Sequence, residues 1–450
     1  MKLVHSLLDT FRNDKLLQKV VRNSSYLLSS NVVSMGLSVI QSILAGRLLG
    51  VAGFGIIGTI TAFAATINRL FSFRMNELVV KYFGEADAIG DQQRAQAVVK
   101  AAALGEFISA LLSFVIIVLL APYASAKLAD DPTSAHLFTI YGSIVLANFA
   151  TETATGVLQV ANKFKDQAIL NLISNVATAC VIIWAFFAKR GLMEVMAAYL
   201  LGKFILGLGT SAMGWHAMRS KYGRGWQRVS FSHLPPIKEL FYFAFSTNIS
   251  STIIMLVRDS EALWIAWFLS PVEVGYAKTA LAIINLVQMP ITPFISTTYP
   301  EINTAVAKRD WPLLRRLLKR VTFISAAWTV ATSAFLVLFG RWLLLFYGES
   351  FLPAYTPMLL FLIGLGYANI FFWNRPLLLS LNLPFVPYRI SLWCGIAKII
   401  LAVLLVPRLG LNFEAILLSS FFVISVTLII LRGFREIRSL EGGRKEMLQA

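Results

Sequence analysis

Charge is what this sequence has least of. Only 14% of its 450 residues are Asp, Glu, Lys or Arg, against about 25% in ordinary soluble domains. Apolar residues make up 57%, and the mean hydropathy is +0.70. That balance excludes a soluble globular chain and places the protein in the integral membrane class. Cysteine is nearly absent. Cys180 and Cys394 stand singly inside apolar runs and read as buried small hydrophobes. Two isolated thiols exclude a disulfide framework and a cysteine metal site. No GxxxxGK[ST] loop occurs, which excludes P-loop ATP hydrolysis. Long polar links are missing as well. The largest outer link, about 122–136, offers Asp130, Asp131 and one histidine, little for an enzyme that needs acid/base groups in water. Residues 1–23 lack an apolar core with a cleavage site. Leu3, Val4, Leu7, Leu8 and Phe11 recur there at helical spacing, which predicts an amphipathic cytoplasmic segment lying on the membrane face.

What is present is apolar sequence in span-length runs. A spanning helix needs roughly 20 mostly apolar residues. Twelve such spans are predicted, at 24–46, 53–73, 97–121, 137–161, 168–188, 193–215, 239–267, 275–299, 321–346, 354–381, 388–407 and 412–433. The basic residues decide orientation. With the N-terminus inside, the inner segments hold 29 Lys and Arg and the outer links hold 6. This predicts a multi-pass protein with both termini in the cytoplasm. The net charge of +17 then reflects topology and contact with anionic lipid, not nucleic acid.

The chain reads as two halves. The unit running from Asn31 to Lys81, with its turn Leu48–Gly55, returns 220 positions later with the turn Phe268–Gly275. Leu49/Leu269 and Gly55/Gly275 match at that offset, Ala147-Asn148 matches Ala368-Asn369, and Gly191-Leu192 matches Gly410-Leu411. The expected organisation is an N-terminal six-helix bundle over 24–218, a basic cytoplasmic linker over 219–237, a C-terminal six-helix bundle over 238–434, and a tail over 435–450. The links after spans 2 and 8 are amphipathic. In the second, Arg315, Arg316, Lys319 and Arg320 alternate with Leu314, Leu317 and Leu318, which predicts a segment lying on an anionic leaflet.

Charges inside the spans carry the functional argument. Each costs about 2.5–3.5 kcal/mol near the bilayer centre on insertion scales, so such residues usually face a bundle interior or a water-filled cavity. They are Arg69, Glu106, Glu152, Lys203, Arg258, Asp259, Glu261, Lys278 and Lys398, with Arg47 and Arg375 near span ends. Span 1 carries a polar stripe: Asn31, Ser34, Ser38, Gln41 and Ser42 share one helical face. Span 7 carries Asn248, Ser251 or Thr252, and Asp259. Such stripes either line an aqueous cavity or bind helices together by hydrogen bonds. Arg47, Arg69, Arg258, Lys278 and Arg375 are available to a cationic cavity, which suits an anionic head group because arginine forks around phosphate and lysine meets it as a point charge. The same groups also allow a structural network of Arg258, Asp259 and Glu261 with Lys278.

The L-L-G-x-x-x-F-G turn after span 1, the Pro300-Glu301-Ile302 link after span 8 and the two-half plan together resemble polysaccharide flippases of the O-antigen (Wzx) type. These belong to the multidrug/oligosaccharidyl-lipid/polysaccharide exporter superfamily. The resemblance implies an all-α integral membrane protein with about twelve transmembrane helices in a V-shaped pair of six-helix bundles. It also implies alternating access that moves a polyprenyl-diphosphate-linked oligosaccharide across a bacterial inner membrane. Arg258, Arg69 and Lys278 are then expected to contact phosphate or acidic sugar, with Arg47, Arg375, Asn31, Gln41 and Asn248 around them. The alternative is a drug or metabolite antiporter of the same superfamily, with Glu152 or Asp259 carrying H+ or Na+. No cofactor is expected. The expected partners are the lipid-linked oligosaccharide, membrane lipids, and a glycan polymerase and glycosyltransferases.

Overall fold

The structure is a computed structural model. It describes residues 15–72, 74–241, 255 and 260–449, with side chains for all of these except 15–29, 31, 292, 293, 295–297 and 442–449. Every regular element among the described residues is helical, as expected where lipid leaves backbone groups no outside partner. Eight stretches are long and apolar enough to cross a membrane. The main helices are α1 (Lys15–Phe71), α2 (Gln92–Leu128), α3 (Thr151–Val160), α4 (Phe164–Phe187), α5 (Leu192–Tyr222), α6 (Glu261–Phe268), α7 (Pro271–Gln288), α8 (Trp311–Leu345), α9 (Tyr355–Ile370) and α10 (Phe385–Gln449). Many large apolar side chains lie on their surfaces, among them Phe187, Phe323 and Leu338. Such faces are stable against lipid, so the chain is an all-α, multi-pass membrane protein.

Two helices break at glycine. α1 is non-helical at Gly50 (φ 67°, ψ −178°) and α10 at Gly410 (φ 74°, ψ −167°). That backbone region is essentially reserved for glycine. The second turn is made differently. Ser270 caps α7 in a capping box with Glu273, and Pro271 holds the first helical position. The predicted span over 137–161 is not one helix. It is split into Ala135–Gly142, Ile144–Ala147 and α3.

The helices gather into two compact units. The first comprises residues 1–48, 63–126 and 131–249, and the second 49–62, 127–130 and 250–450. In the first unit the segment after the second span folds as Met75–Leu78, a π-helical turn Val79–Phe83, and Gly84–Ala88. It buries Leu78, Val79, Tyr82 and Phe83 with Val98, Val99, Val157 and Met218. In the second unit Leu314 and Leu318 enter a core with Ile302, Trp373, Leu377 and Ile437.

These cores correct two expectations. The amphipathic segments spend their apolar faces on the protein, not on a lipid surface. The basic run 310–320 is also not a separate surface helix. Asp310 caps Leu313 N at 3.0 Å, and the run forms the first turns of α8, whose 35 residues reach roughly 52 Å at 1.5 Å per residue. The cysteines are corrected too. Cys180 is exposed and Cys394 half-buried, because a lipid-facing helix surface accepts an apolar side chain without a protein core around it.

A close backbone contact in the second unit joins the two matched turns. A Cβ built on Gly55 would collide with the Pro271 carbonyl oxygen and lie 2.9 Å from Gly275 N. A Cβ on Gly275 would collide with Val51 O and lie 2.8 Å from Val51 Cγ1. Neither glycine has positive φ, so space alone demands them. Gly50 is the opposite case: its position is open, and its φ demands glycine. We predict that Gly55→Leu and Gly275→Leu each prevent recovery of monodisperse protein in detergent. Gly36→Ala, where a Cβ meets nothing within 4 Å, should instead leave the thermal midpoint unchanged or raise it, since alanine favours helix by about 1 kcal/mol.

Candidate functional site: charges inside the apolar helices

The second unit buries three charges together. Lys398 Nζ of α10 donates to Glu261 Oε2 of α6 at 2.5 Å and stands 2.8 Å from Glu414 Oε1, farther along α10. Their side chains are 3%, 3% and 0% exposed respectively. The Gly410 break lies between Lys398 and Glu414 in sequence and lets one long element present both residues to the same place. Glu261 Oε1 and Glu414 Oε2 are buried without a donor, while Glu414 Oε1 meets the ammonium. One ammonium thus faces two carboxylates, and the formal charges of the cluster do not balance. This corrects the expected network around Lys278: Glu261 is committed to Lys398. Arg258 and Asp259 lie outside the described residues, as does Asn248.

Lys278 is placed by the glycine crossing. Its Cδ would sit 3.0 Å from a Cβ on Gly58, so the stem runs along bare backbone. Its Nζ lies 4.1 Å from the centroid of Phe54, a ring that is fully buried. Phe351 and Tyr347 pack on Phe54 with centroids 6.2 and 6.3 Å away. A lysine ammonium above a ring face is attracted by the ring's quadrupole. Arg375 is half-buried in the same unit.

In the first unit Glu106 of α2 accepts from the backbone N–H groups of Glu152 (2.7 Å) and Thr153 (2.9 Å). It therefore caps α3 from a neighbouring helix, which explains how the break before α3 is tolerated at membrane depth. Glu152 itself accepts from Ser72 Oγ at 2.9 Å, while its Oε2 is buried without a hydrogen bond. The stripe on α1 binds helices together. Ser30 Oγ donates to Ala168 O and Gln41 Nε2 to Asn175 O, both at 2.8 Å, and Asn171 Nδ2 donates to Ser34 Oγ at 3.3 Å. Asn31 falls within the helical backbone of the same stripe. Arg47 and Arg69 are exposed in this unit.

Sequence reasoning missed Glu414, Phe54 and the capping role of Glu106. Glu414 follows the turn glycine Gly410 by four residues, close to the predicted start of a span, where a carboxylate looks like part of a loop. The matched Gly191-Leu192 turn also carries a glutamate within four residues, Glu194, which accepts from Gly191 N at 3.0 Å, but it falls one position out of register with Glu414. Among the described residues no three His, Cys, Asp or Glu side chains gather as metal ligands.

The scaffold is that of a helical, multi-pass membrane protein with charged groups enclosed among apolar helices. The chain belongs to the family described as polysaccharide biosynthesis protein, whose profile matches residues 20–305. It is 24% identical over 347 residues to the inner membrane protein YghQ of Escherichia coli K12, covering 76% of this chain and 96% of that one. Among solved structures, the lipid II flippase MurJ in an inward closed conformation superposes with a TM-score of 0.70 at 14% identity, covering 91% of this chain and 89% of that one. A multidrug resistance MATE transporter of the MOP superfamily, inward-facing, gives 0.67 at 14% identity, with coverage of 91% and 96%. A MOP transporter from Pyrococcus furiosus gives 0.61 at 13%, with coverage of 94% and 96%. At such identities the likeness is one of fold.

The charge count yields a test. Lys398→Met strands two buried carboxylates and should lower stability by about 3–5 kcal/mol, the usual cost of breaking a buried pair. Glu261→Gln leaves a balanced Lys398–Glu414 pair and should cost far less. Thermal unfolding of the purified variants in one detergent checks the order, and equal losses would contradict it.

Proposed function

We propose that the protein is a flippase that moves a polyprenyl-diphosphate-linked oligosaccharide from the inner to the outer leaflet of a bacterial inner membrane by alternating access, for surface polysaccharide assembly. The family match over residues 20–305 carries this reading. It is supported by a fold like that of a lipid II flippase and by likeness to a named inner membrane protein. A carrier, not an enzyme, is what such a scaffold supports.

The finer architecture is read as twelve spans in two six-helix bundles, 24–218 and 238–434. Eight long apolar stretches are described. Two of them, broken at Gly50 and Gly410, each count as two spans. The broken run ending in α3 is counted as another, and the expected span 239–267, most of which lies outside the described residues, as the last. The excess of Lys and Arg in alternate links supports cytoplasmic termini.

Lys278 is our first choice for contact with a phosphate or acidic sugar, because a lysine within an apolar span is retained only for a reason. Arg258 and Arg375, and separately Arg69 and Arg47, are proposed as further contacts of the same kind, with Asn31 and Asn248 as neutral donors. Gln41 is the weakest of the set, since its amide already serves α4. Glu152, with one oxygen unbonded, is the preferred coupling group over Asp259, and supports a proton-coupled antiporter as the second reading. A polymerase and glycosyltransferases acting on the same glycan are the proposed functional partners.

A deletion strain should accumulate lipid-linked oligosaccharide on the inner leaflet, with export restored by the wild-type gene. Lys278→Met keeps the stem and removes the charge. It should cut export at least tenfold at unchanged protein level, while Lys278→Arg retains most of it. Normal glycan export in the deletion strain, with loss of organic-cation efflux that also fails in Glu152→Gln, would replace the flippase with the antiporter.

A further inference from the structure

The basic start of α8 and its apolar continuation share one groove. Arg315, Lys319 and Phe323 follow each other at four-residue steps along one face of α8, so the line covers roughly 12 Å of helix rise. The opposite wall is Trp373, from the turn after α9, and Ile430 and Phe434, one helical turn apart on α10. The groove holds about 620 Å³, inside the range of about 300–1,000 Å³ typical of ligand sites. Its floor asks for no polar partner, because Trp373 Nε1 already donates to Thr322 Oγ1 at 2.7 Å. Its charge is confined to one end. Arg315 bonds Glu441 at 2.6 Å, Lys319 is exposed and makes no ion pair among the described residues, and Arg316 and Arg320 are exposed beside it.

A cationic rim that passes within two helical turns into an aromatic and aliphatic channel matches a molecule with an anionic head and apolar tails. The groove also lies where a span changes from basic to apolar, the depth at which head groups meet acyl chains. We propose that it binds an anionic phospholipid of the surrounding leaflet, with the phosphate on Lys319 and Arg315 and an acyl chain along Phe323 toward Ala326. Lysine and arginine near a membrane surface each contribute about 1 kcal/mol of attraction to anionic lipid. The groove adds a fixed place for one such lipid. This inference does not rest on what the protein carries and holds for either orientation.

The purified full chain in neutral detergent tests it. Phosphatidylglycerol, phosphatidylcholine and a polyprenyl phosphate are titrated separately, with bound lipid read by native mass spectrometry and stabilisation by thermal midpoint. Phosphatidylglycerol should stay bound and raise the midpoint at concentrations where phosphatidylcholine does neither. Lys319→Glu, on an exposed position that folding tolerates, should weaken its apparent Kd at least tenfold. Ala326→Phe, which fills the channel, should do the same, while Arg341→Glu near the other end of α8 leaves it unchanged. Equal retention of phosphatidylcholine, wild-type affinity in Lys319→Glu, or binding of the polyprenyl phosphate with phosphatidylglycerol ignored would each overturn the proposal.

Discussion

Two backbones meeting without side chains between them is the constraint on which the second unit depends. Gly55 and Gly275 are each other's counterparts in the repeated turn, and they touch. In lipid there is no hydrophobic drive between helices, so close backbone approach and van der Waals contact do much of the work of association. Because the backbones are this near, the stem of Lys278 passes over Gly58 and its ammonium reaches the buried ring of Phe54. The crossing thus does more than close a core. It sets the position of a cation within an apolar helix.

Buried polarity elsewhere follows the same economy of partners. A carboxylate surrounded by hydrocarbon is tolerated when something donates to it. Glu106 finds two backbone N–H groups at the start of α3, and in accepting them it permits a helix break that lipid alone would forbid. Lys398 meets two carboxylates at once. The desolvation of three charged groups is large, so removing one partner of the cluster costs more than a surface pair would. On the polar face of α1, by contrast, Ser30, Ser34 and Gln41 bond to α4.

Membrane class and helical fold were legible because lipid imposes them directly on composition: long apolar runs have one way to satisfy their backbone. The glycine turns were legible for a related reason. Gly50 and Gly410 mark the breaks in α1 and α10, and only glycine adopts their backbone angles. The broken run before α3 was not legible, since its residues are apolar throughout and the cap comes from Glu106, some 46 positions away. The basic run 310–320 misled because periodicity identifies an amphipathic helix without saying what covers its apolar face.

The sequence by itself determined that the chain is a repeated, multi-pass helical membrane protein, and it singled out most of the charges that have no business in hydrocarbon, Glu414 excepted. Local chemistry suffices for that: hydropathy, turn geometry and charge are properties of short segments. Which charge meets which was decided only in three dimensions. Glu261 is 137 positions from Lys398, and nothing in either neighbourhood distinguishes that pairing from one with Lys278. Only the packing of α6 against α10, and of one glycine against another, fixes those distances.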